Sequence, residues 1–109
     1  MICVSVFYPS GPGKHFDQVY YEHKHRPLVQ DRLGNSLTRY EIDQGLSGLS
    51  PGSEPMFAAV GRLYFNTIGE FQQGMMAHGA ELQADIPNFT DIQPQFQISE
   101  FVEFTSPAL

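Results

Sequence analysis

Residues 57–71 read FAAVGRLYFNTIGEF, and this stretch changes from the pattern of a strand to that of a helix. From Phe57 to Phe65 the side chains alternate between two faces, as in a β-strand. Thr67 and Glu70 then stand at the spacing of a capping box, which satisfies free backbone N–H groups at the start of a helix. The stretch therefore predicts a strand followed directly by an amphipathic helix. The residues that recur at helical spacing in it are Ile68, Phe71, Met75, His78 and Leu82.

The beginning of the chain has the same order of elements. Residues 2–8 alternate as a strand, and the Pro, Ser and Gly residues at 9–13 end it. From Phe16 onward the apolar spacing is helical. Pro27 lies within this helix, and because proline has no backbone N–H and crowds the preceding turn, we expect a kink there. Gly34 is the expected end of the helix.

Two further strands complete the predicted order β-α-β-β-α-β. They cover residues 36–43 and 95–104, and a loop rich in glycine and proline at 45–55 precedes the third strand. One four-stranded sheet with both helices on a single face is the ferredoxin-like α+β arrangement. A chain of 109 residues and 12.2 kDa has the size of one domain, so we expect a single domain over residues 1–109.

The sheet face that the helices do not cover is predicted to be rich in aromatic residues. The chain has 9 Phe and 5 Tyr, whereas only 17% of its residues are charged. Because a large apolar face is rarely left exposed to water, we expect two copies of the chain to associate through these sheet faces. The prediction is a homodimeric α+β barrel with a cavity between its two sheets. The aromatic residues assigned to this face are Phe7, Tyr40, Tyr64 or Phe65, and Phe96.

The charge and composition of the chain argue against several classes of partner. Six Lys and Arg against twelve Asp and Glu give a formal charge of −6, which suits neither nucleic acid nor an anionic membrane surface. The first ten residues lack the basic and apolar segments of a signal peptide, so we expect a cytoplasmic protein. A single cysteine, Cys3, excludes an intrachain disulfide. The sequence has no glycine-rich nucleotide motif and no Cys/His cluster, and we expect neither a cofactor nor a metal.

His25 is the main candidate for catalysis. It stands beside the expected kink, where a free carbonyl or a carboxylate could orient its ring, and an imidazole with a pKa of about 6.5 can move a proton at neutral pH. The alternative role is structural, a hydrogen bond that fixes the kink. His23 and His25 form a His-x-His pattern, but on a helix two such residues point roughly 200° apart and cannot share a metal.

Four other side chains have a functional and a structural interpretation. Tyr20 and Tyr21 could act with an imidazole as acid or oxyanion donor, or they could only pack in the core. His78 lies on the apolar side of the second helix and could face the cavity or be a hydrogen-bonded core residue. Arg62, in the middle of a strand, could bind an anionic substrate or pair with a carboxylate such as Glu41.

Two segments of the chain resemble the EthD family. Residues 16–28, FDQVYYEHKHRPL, are similar to its F-D-x-x-Y-Y-x-x-x-H-x-P-L signature, and His25 takes the place of the histidine. Residues 84–94, ADIPNFTDIQP, followed by QISE at 97–100, resemble its second hallmark. The resemblance implies a dimeric α+β barrel and an oxidoreductase label connected with ethyl tert-butyl ether degradation, in a system that includes a haem monooxygenase.

These observations lead to three functional hypotheses. The first is binding or conversion of a small apolar or aromatic molecule without a cofactor, with His25, Tyr21 and Tyr20 as catalytic residues. The second is a carrier or partner protein for a monooxygenase system, and the third is a haem-binding barrel with an axial histidine. The residues expected to bind the substrate are Phe7, Tyr40, Arg62, Tyr64 and His78.

Overall fold

A computed structural model describes residues 1–107 and shows four strands and two helices, so residues 108 and 109 of the predicted domain lie outside the described residues. The strands are β1 (Ile2–Pro9), β2 (Arg39–Gln44), β3 (Phe57–Phe65) and β4 (Gln95–Glu100). The first helix consists of an α-helical turn, Gln18–Tyr20, a π-helical turn, Tyr21–His25, and an α-helical part, Arg26–Leu33. The second helix covers Ile68–Asp85 and leads into a 3-10 turn, Ile86–Asn88.

The four strands form one sheet in the order β2-β3-β1-β4, and each neighbouring pair is antiparallel. This is the ferredoxin-like arrangement, and the predicted α+β fold class is confirmed. The third strand and the start of the second helix lie where the sequence predicts them. The second strand begins later than predicted, at Arg39, and the fourth ends earlier, at Glu100.

The helices cover the face of the sheet that carries Val4, Leu63 and Phe65, which we call the helix face. These side chains pack against Val29 and Leu33 of the first helix in the larger part of the core. The opposite face, the open face, carries Cys3, Ser5 and Phe7 of β1. The residues of the other strands that share it through the strand register include Arg62, Tyr64, Gln97 and Ser99.

The register corrects the predicted face of Tyr40 and Phe96 and decides between the alternatives Tyr64 and Phe65. Tyr40 pairs with Leu63 and Phe96 pairs with Val6, so both side chains project to the helix face. Phe65 also points there and is fully buried. The assignment of Tyr40 and Phe96 to the open face is therefore wrong. Of the two alternatives Tyr64 and Phe65, Tyr64 is the one that lies on this face, together with Phe7.

The first helix passes through Pro27 as a continuous helix, with a π turn where a kink was expected. Asp17 caps its start, because its carboxylate accepts a hydrogen bond from the Tyr20 N–H at 3.0 Å. In the π turn the Arg26 N–H donates to the carbonyl of Tyr21, five residues back. This wider turn places Tyr21 and His25 on the same buried side, with their rings stacked at 5.8 Å between centroids.

The second helix begins as the capping pattern predicts. The Glu70 N–H donates to the hydroxyl of Thr67 at 3.2 Å, and the helix then continues without interruption to Asp85. Over residues 1–107 neither helix has both the length and the apolar composition needed to cross a membrane.

Candidate functional site

A cavity of about 480 Å³ lies between the helix face of the sheet and the two helices. Its walls are mainly aliphatic and aromatic, and none of the described residues that line it is Asp, Glu, Lys or Arg. It therefore suits a small, neutral, largely apolar molecule. The residues that line it are Val4, Val6, Tyr8, Tyr21, His25, Val29, Tyr40, Leu63, Phe71, Met75, Gly79, Ala80, Leu82, Gln83, Ile86, Phe96 and Ile98.

The cavity opens between the edge strand β4 and the second helix. Phe96 and Ile98 of β4 line the cavity, yet they are 55% and 45% exposed. Across the opening, Ala80 and Gln83 of the second helix are also exposed. The mouth is thus framed by three apolar side chains and the amide of Gln83.

His25 is the only histidine among the described residues that line the cavity, and a carboxylate orients it. Its Nδ1 lies 2.9 Å from Oδ2 of Asp85, the last residue of the second helix. His25 is 94% buried as a residue, and its ring lies between those of Tyr21 and Phe89, whose centroids are 5.8 Å and 4.8 Å from it. The packing and the hydrogen bond together fix the plane of the imidazole.

Asp85 is itself held by two further groups. Its Oδ1 accepts hydrogen bonds from the Tyr20 hydroxyl at 2.7 Å and from Nδ2 of Asn88 at 2.9 Å. Burial raises the pKa of the Asp85 carboxyl, but the bonds from Asn88, His25 and Tyr20 outweigh it, and the pKa lies below its usual range. Asp85 is therefore ionised at neutral pH and accepts the proton on Nδ1 of His25.

This arrangement leaves Nε2 of His25 free to act as a base. Burial lowers the pKa of His25, and Asp85 counteracts only part of that effect, so the ring is neutral at pH 7. With its one proton on Nδ1, the lone pair is on Nε2, which has no protein partner within residues 1–107. The only fully buried side-chain oxygen or nitrogen without a partner in that range is Oε1 of Gln18, so Nε2 is not fully enclosed. Because His25 lines the cavity, Nε2 is the ring nitrogen available to a ligand there.

Three phenols line the same cavity, from Tyr8, Tyr21 and Tyr40. Burial raises the pKa of all three, that of Tyr40 to about 12, so each hydroxyl is a hydrogen-bond donor at neutral pH. The Tyr21 hydroxyl approaches the sheet so closely that a Cβ on Gly61 would lie 2.3 Å from it. The Tyr40 ring lies 3.8 Å from the same point. The Tyr21 hydroxyl donates to that of Tyr40, and in the described part of the chain the hydroxyl protons of Tyr8 and Tyr40 have no acceptor.

The model of the EthD domain matches residues 13–93, which include the first helix, His25, Gly61 and Asp85. The chain belongs to the EthD family. The resemblance inferred from the two sequence segments is thereby confirmed. No curated protein matches the chain.

Solved structures place this EthD chain among proteins of the same fold. An EthD-like protein from Ralstonia eutropha JMP134 is 41% identical, with a TM-score of 0.91, over 96% of this chain and 95% of that one. An ethyl tert-butyl ether degradation (EthD) family protein from Bacillus halodurans C-125 is 20% identical, with a TM-score of 0.72, over 94% and 99%. HapK from Hahella chejuensis is 12% identical, with a TM-score of 0.59, over 99% of both chains. The last two show a shared fold alone.

Four of the predicted site residues of this EthD chain come together in the structure. His25, Tyr21 and Tyr40 line the cavity. Tyr20 does not line it, but its hydroxyl holds the carboxylate of Asp85, which orients His25. The predicted cavity lies between two sheets, whereas this one lies within a single chain, between its sheet and its helices.

The other four predicted residues lie away from this cavity. Phe7, Arg62 and Tyr64 are on the open face, on the far side of the sheet. Arg62 forms a bidentate pair with Asp43 at 2.8 and 2.9 Å, and Tyr64 donates to Glu41 at 2.7 Å. These contacts correspond to the ion-pairing interpretation of Arg62. The other predicted substrate residue that does not reach the cavity is His78, which is half-buried on the second helix.

Sequence reasoning missed Asp85 and Tyr8 as parts of this site. Nothing in the spacing connects Asp85 with His25, 60 positions earlier, and its place in the turn after the second helix has a sufficient local explanation. Tyr8 is the next-to-last residue of β1, and the alternation of that strand places its side chain on the same face as Val4 and Val6. This alternation was the one feature of the sequence that could have placed the Tyr8 ring on the helix face.

Proposed function

We propose that this EthD protein binds a small, neutral, largely apolar molecule in the cavity and that His25 exchanges a proton with it. One observation carries the proposal, the neutral imidazole in the cavity wall whose Nδ1 is fixed by Asp85 and whose Nε2 is free. A neutral imidazole can accept a proton from the ligand, and the imidazolium that forms is stabilised by the carboxylate of Asp85.

The cavity walls support the choice of ligand. A volume of about 480 Å³ is in the range of sites for drug-sized molecules, and the lining is mainly apolar. Burial of apolar ligand surface supplies the affinity, at about 25 cal/mol per Å² before the costs of association. The few polar groups, the three phenols and Nε2, fix the ligand's orientation.

A non-enzymatic carrier or partner of a monooxygenase system is the second candidate function. The open, apolar mouth at Phe96 and Ile98 favours it, because exchange of an apolar ligand with another protein needs such an exit. The formal charge of −6 would complement a basic partner. The family likeness implies an oxidoreductase role in ether or aromatic catabolism. Such a role requires turnover at His25, so it belongs to the first candidate function, ligand binding with proton transfer.

We also propose that two copies of the chain associate through their open faces. No helix of the described chain covers this face. It carries the ring pair of Phe7 and Phe57, whose centroids are 5.1 Å apart. Phe101 packs edge-on against Tyr64 at 5.0 Å and leads into the exposed residues Val102 and Phe104. A second copy of the chain would remove these apolar groups from water.

Ligand binding is tested first with a cavity-filling variant. Gly79 lines the cavity, and the nearest atoms to a Cβ built there are those of Met75 at 3.7 Å, so Gly79→Leu places its side chain in the ligand space. We expect naphthalene, measured by calorimetry, to bind the wild type and to bind Gly79→Leu at least 10-fold more weakly. Ala77→Leu on the exposed side of the same helix is the matched control. Equal affinity in all three proteins would contradict the proposed site.

The proton-transfer role of His25 is tested by nitrogen-15 NMR of the histidine rings. We expect Nδ1 of His25 to carry the proton in the free protein and the Nε2 resonance to shift when a phenolic ligand such as 2-naphthol binds. Binding that leaves both ring nitrogens unchanged would favour the carrier. Native mass spectrometry of freshly purified protein complements this test, because it reports a co-purified ligand, a bound haem and the number of chains.

A further inference from the structure

We infer that the substrate is a neutral cyclic ketone with a removable proton on the carbon next to its carbonyl, and that the protein converts it to its enol. The inference rests on the proposed function, because it assigns a substrate class to the same cavity. It is carried by the combination of one free base and a group of hydroxyl donors in an otherwise apolar cavity.

The two kinds of polar group have complementary tasks. Nε2 of His25 accepts hydrogen bonds and protons, whereas the Tyr40 hydroxyl, which accepts a hydrogen bond from Tyr21, has its own proton free to donate. A carbonyl oxygen needs donors, and the carbon–hydrogen bond beside it needs a base, so an enolisable ketone uses both sets. A plain hydrocarbon would leave the hydroxyl protons of Tyr8 and Tyr40 without an acceptor, and such groups are costly to desolvate.

Tyr21 connects the base with the donors. Its ring stacks on the His25 ring with 5.8 Å between centroids, and its hydroxyl reaches the sheet at Gly61, beside the ring of Tyr40. His25, Tyr21 and Tyr40 line the same cavity, so we expect one small molecule to contact Nε2 and a phenol hydroxyl at the same time. The Tyr21 side chain is 99% buried, which keeps this hydroxyl aimed in one direction.

The proposed step balances without an oxidant or a reductant. Nε2 of His25 takes a proton from the carbon next to the carbonyl, and the electron pair of the broken C–H bond forms a C=C bond. The carbonyl π electrons move to oxygen, where the phenol hydroxyls stabilise the negative charge. The protonated His25, held by Asp85, then returns a proton to the oxygen or to a carbon, and the net change is an isomerisation.

The cavity also determines which ketones fit. The described lining offers no cation for a carboxylate or phosphate, so the substrate is uncharged. The apolar walls formed by Leu63, Phe71 and Leu82 favour a substrate with one or more rings. A bicyclic ketone such as 2-tetralone has this chemistry and serves as the probe.

Hydrogen–deuterium exchange at the carbon between the carbonyl and the aromatic ring of 2-tetralone is the direct test. We expect wild-type protein in D₂O to accelerate this exchange, followed by proton NMR, above the rate in buffer. His25→Ala should reduce the rate to that of buffer, and Tyr40→Phe should reduce it by about 100-fold. Tyr21→Phe, which removes the hydroxyl that donates to Tyr40, provides a second variant if Tyr40→Phe does not fold, and it should also slow the exchange. His23→Ala, on the exposed side of the same helix, is the control and should keep the wild-type rate.

Calorimetric titration with 2-tetralone and with tetralin, which lacks the carbonyl, separates this inference from the proposed function. If 2-tetralone binds and Gly79→Leu weakens it, but exchange is not accelerated, the ketone inference is overturned while the apolar site stands. If neither compound binds, both are overturned. Accelerated exchange that disappears in His25→Ala and survives in His23→Ala supports both.

Discussion

Nδ1 of His25 and Oδ2 of Asp85 lie 2.9 Å apart, joining the π turn of the first helix to the last residue of the second helix. Each residue is held in place by other contacts. The π turn and Phe89 fix the His25 ring, while Tyr20 and Asn88 fix the Asp85 carboxylate. Because both ends are held, the free Nε2 of His25 has a defined direction, which a proton-transfer group requires.

Replacing Asp85 with Asn should change the titration of His25. In the wild type Asp85 raises the His25 pKa against the lowering effect of burial. Asp85→Asn removes the charge, so burial acts with less opposition and the His25 pKa falls further. Histidine Cε1–H resonances followed by NMR against pH measure this shift. Asp31→Asn, on the exposed side of the first helix, is the control and should leave the His25 pKa where it is; a pKa that rises in Asp85→Asn would contradict the assigned pair.

The stability of the protein should decrease as the pH falls below about 6.5. Burial lowers the pKa of His25 in the folded chain, so between that value and the unfolded value the unfolded state binds more protons. The free energy of unfolding then rises with pH across this window and is highest above it. Urea denaturation at several pH values between about 5 and 8, above the range in which carboxylates titrate, measures the slope. His25→Gln should flatten it, and equal slopes in the two proteins would count against the buried neutral histidine.

The sequence predicts the positions of the helices and strands better than it predicts which strand side chains point to the helices. The strand β3 and the capped second helix follow from local patterns, because alternation and capping act within a few residues. Alternation in β4 separates Phe96 from Gln97 but does not say which of them faces the helices. That depends on the pairing of Phe96 with Val6, a contact between distant parts of the chain.

The candidate site shows the same limit. The position of His25 in a helix with two tyrosines identifies it as a candidate from sequence, and it does line the cavity. Its partner Asp85 is distant in sequence, and its position at a helix end has a sufficient local explanation in turn formation. The π turn was also not predicted, because its wider hydrogen bonding has no established sequence pattern and Pro27 alone indicates only an irregularity.

Gly61→Ala should destabilise the protein through Tyr21. The new Cβ would lie 2.3 Å from the Tyr21 hydroxyl, so the buried phenol must move. We expect a loss of about 1–3 kcal/mol in the free energy of unfolding, measured by urea denaturation. In a Tyr21→Phe background the clashing oxygen is absent and the nearest remaining ring atom is at 3.6 Å, so the same substitution should cost less.

Gly79→Ala is the matched control for this effect. Its nearest neighbours are at 3.7 Å, an ordinary contact distance, and alanine favours the helix over glycine by up to about 1 kcal/mol. We expect Gly79→Ala to be neutral or stabilising. If Gly61→Ala is also neutral, or if its cost does not change without the Tyr21 hydroxyl, the close approach of Tyr21 to the sheet is not what places glycine at this position.

Phe7 and Phe96 provide a test of the proposed dimer that uses the two faces of the sheet. They lie on adjacent strands, but Phe7 is on the open face and Phe96 lines the mouth of the cavity. A charge at Phe7 would be buried between the two sheets of a dimer, so Phe7→Glu should give a folded monomer in sedimentation velocity experiments. Phe96→Glu should remain a dimer and lose affinity for naphthalene, because it places a charge at the apolar mouth. Circular dichroism checks that both variants fold.

A Phe7→Glu protein that still sediments as a dimer would show that the chains associate through another surface. Dissociation of Phe96→Glu alone would show that the interface lies at the mouth of the cavity.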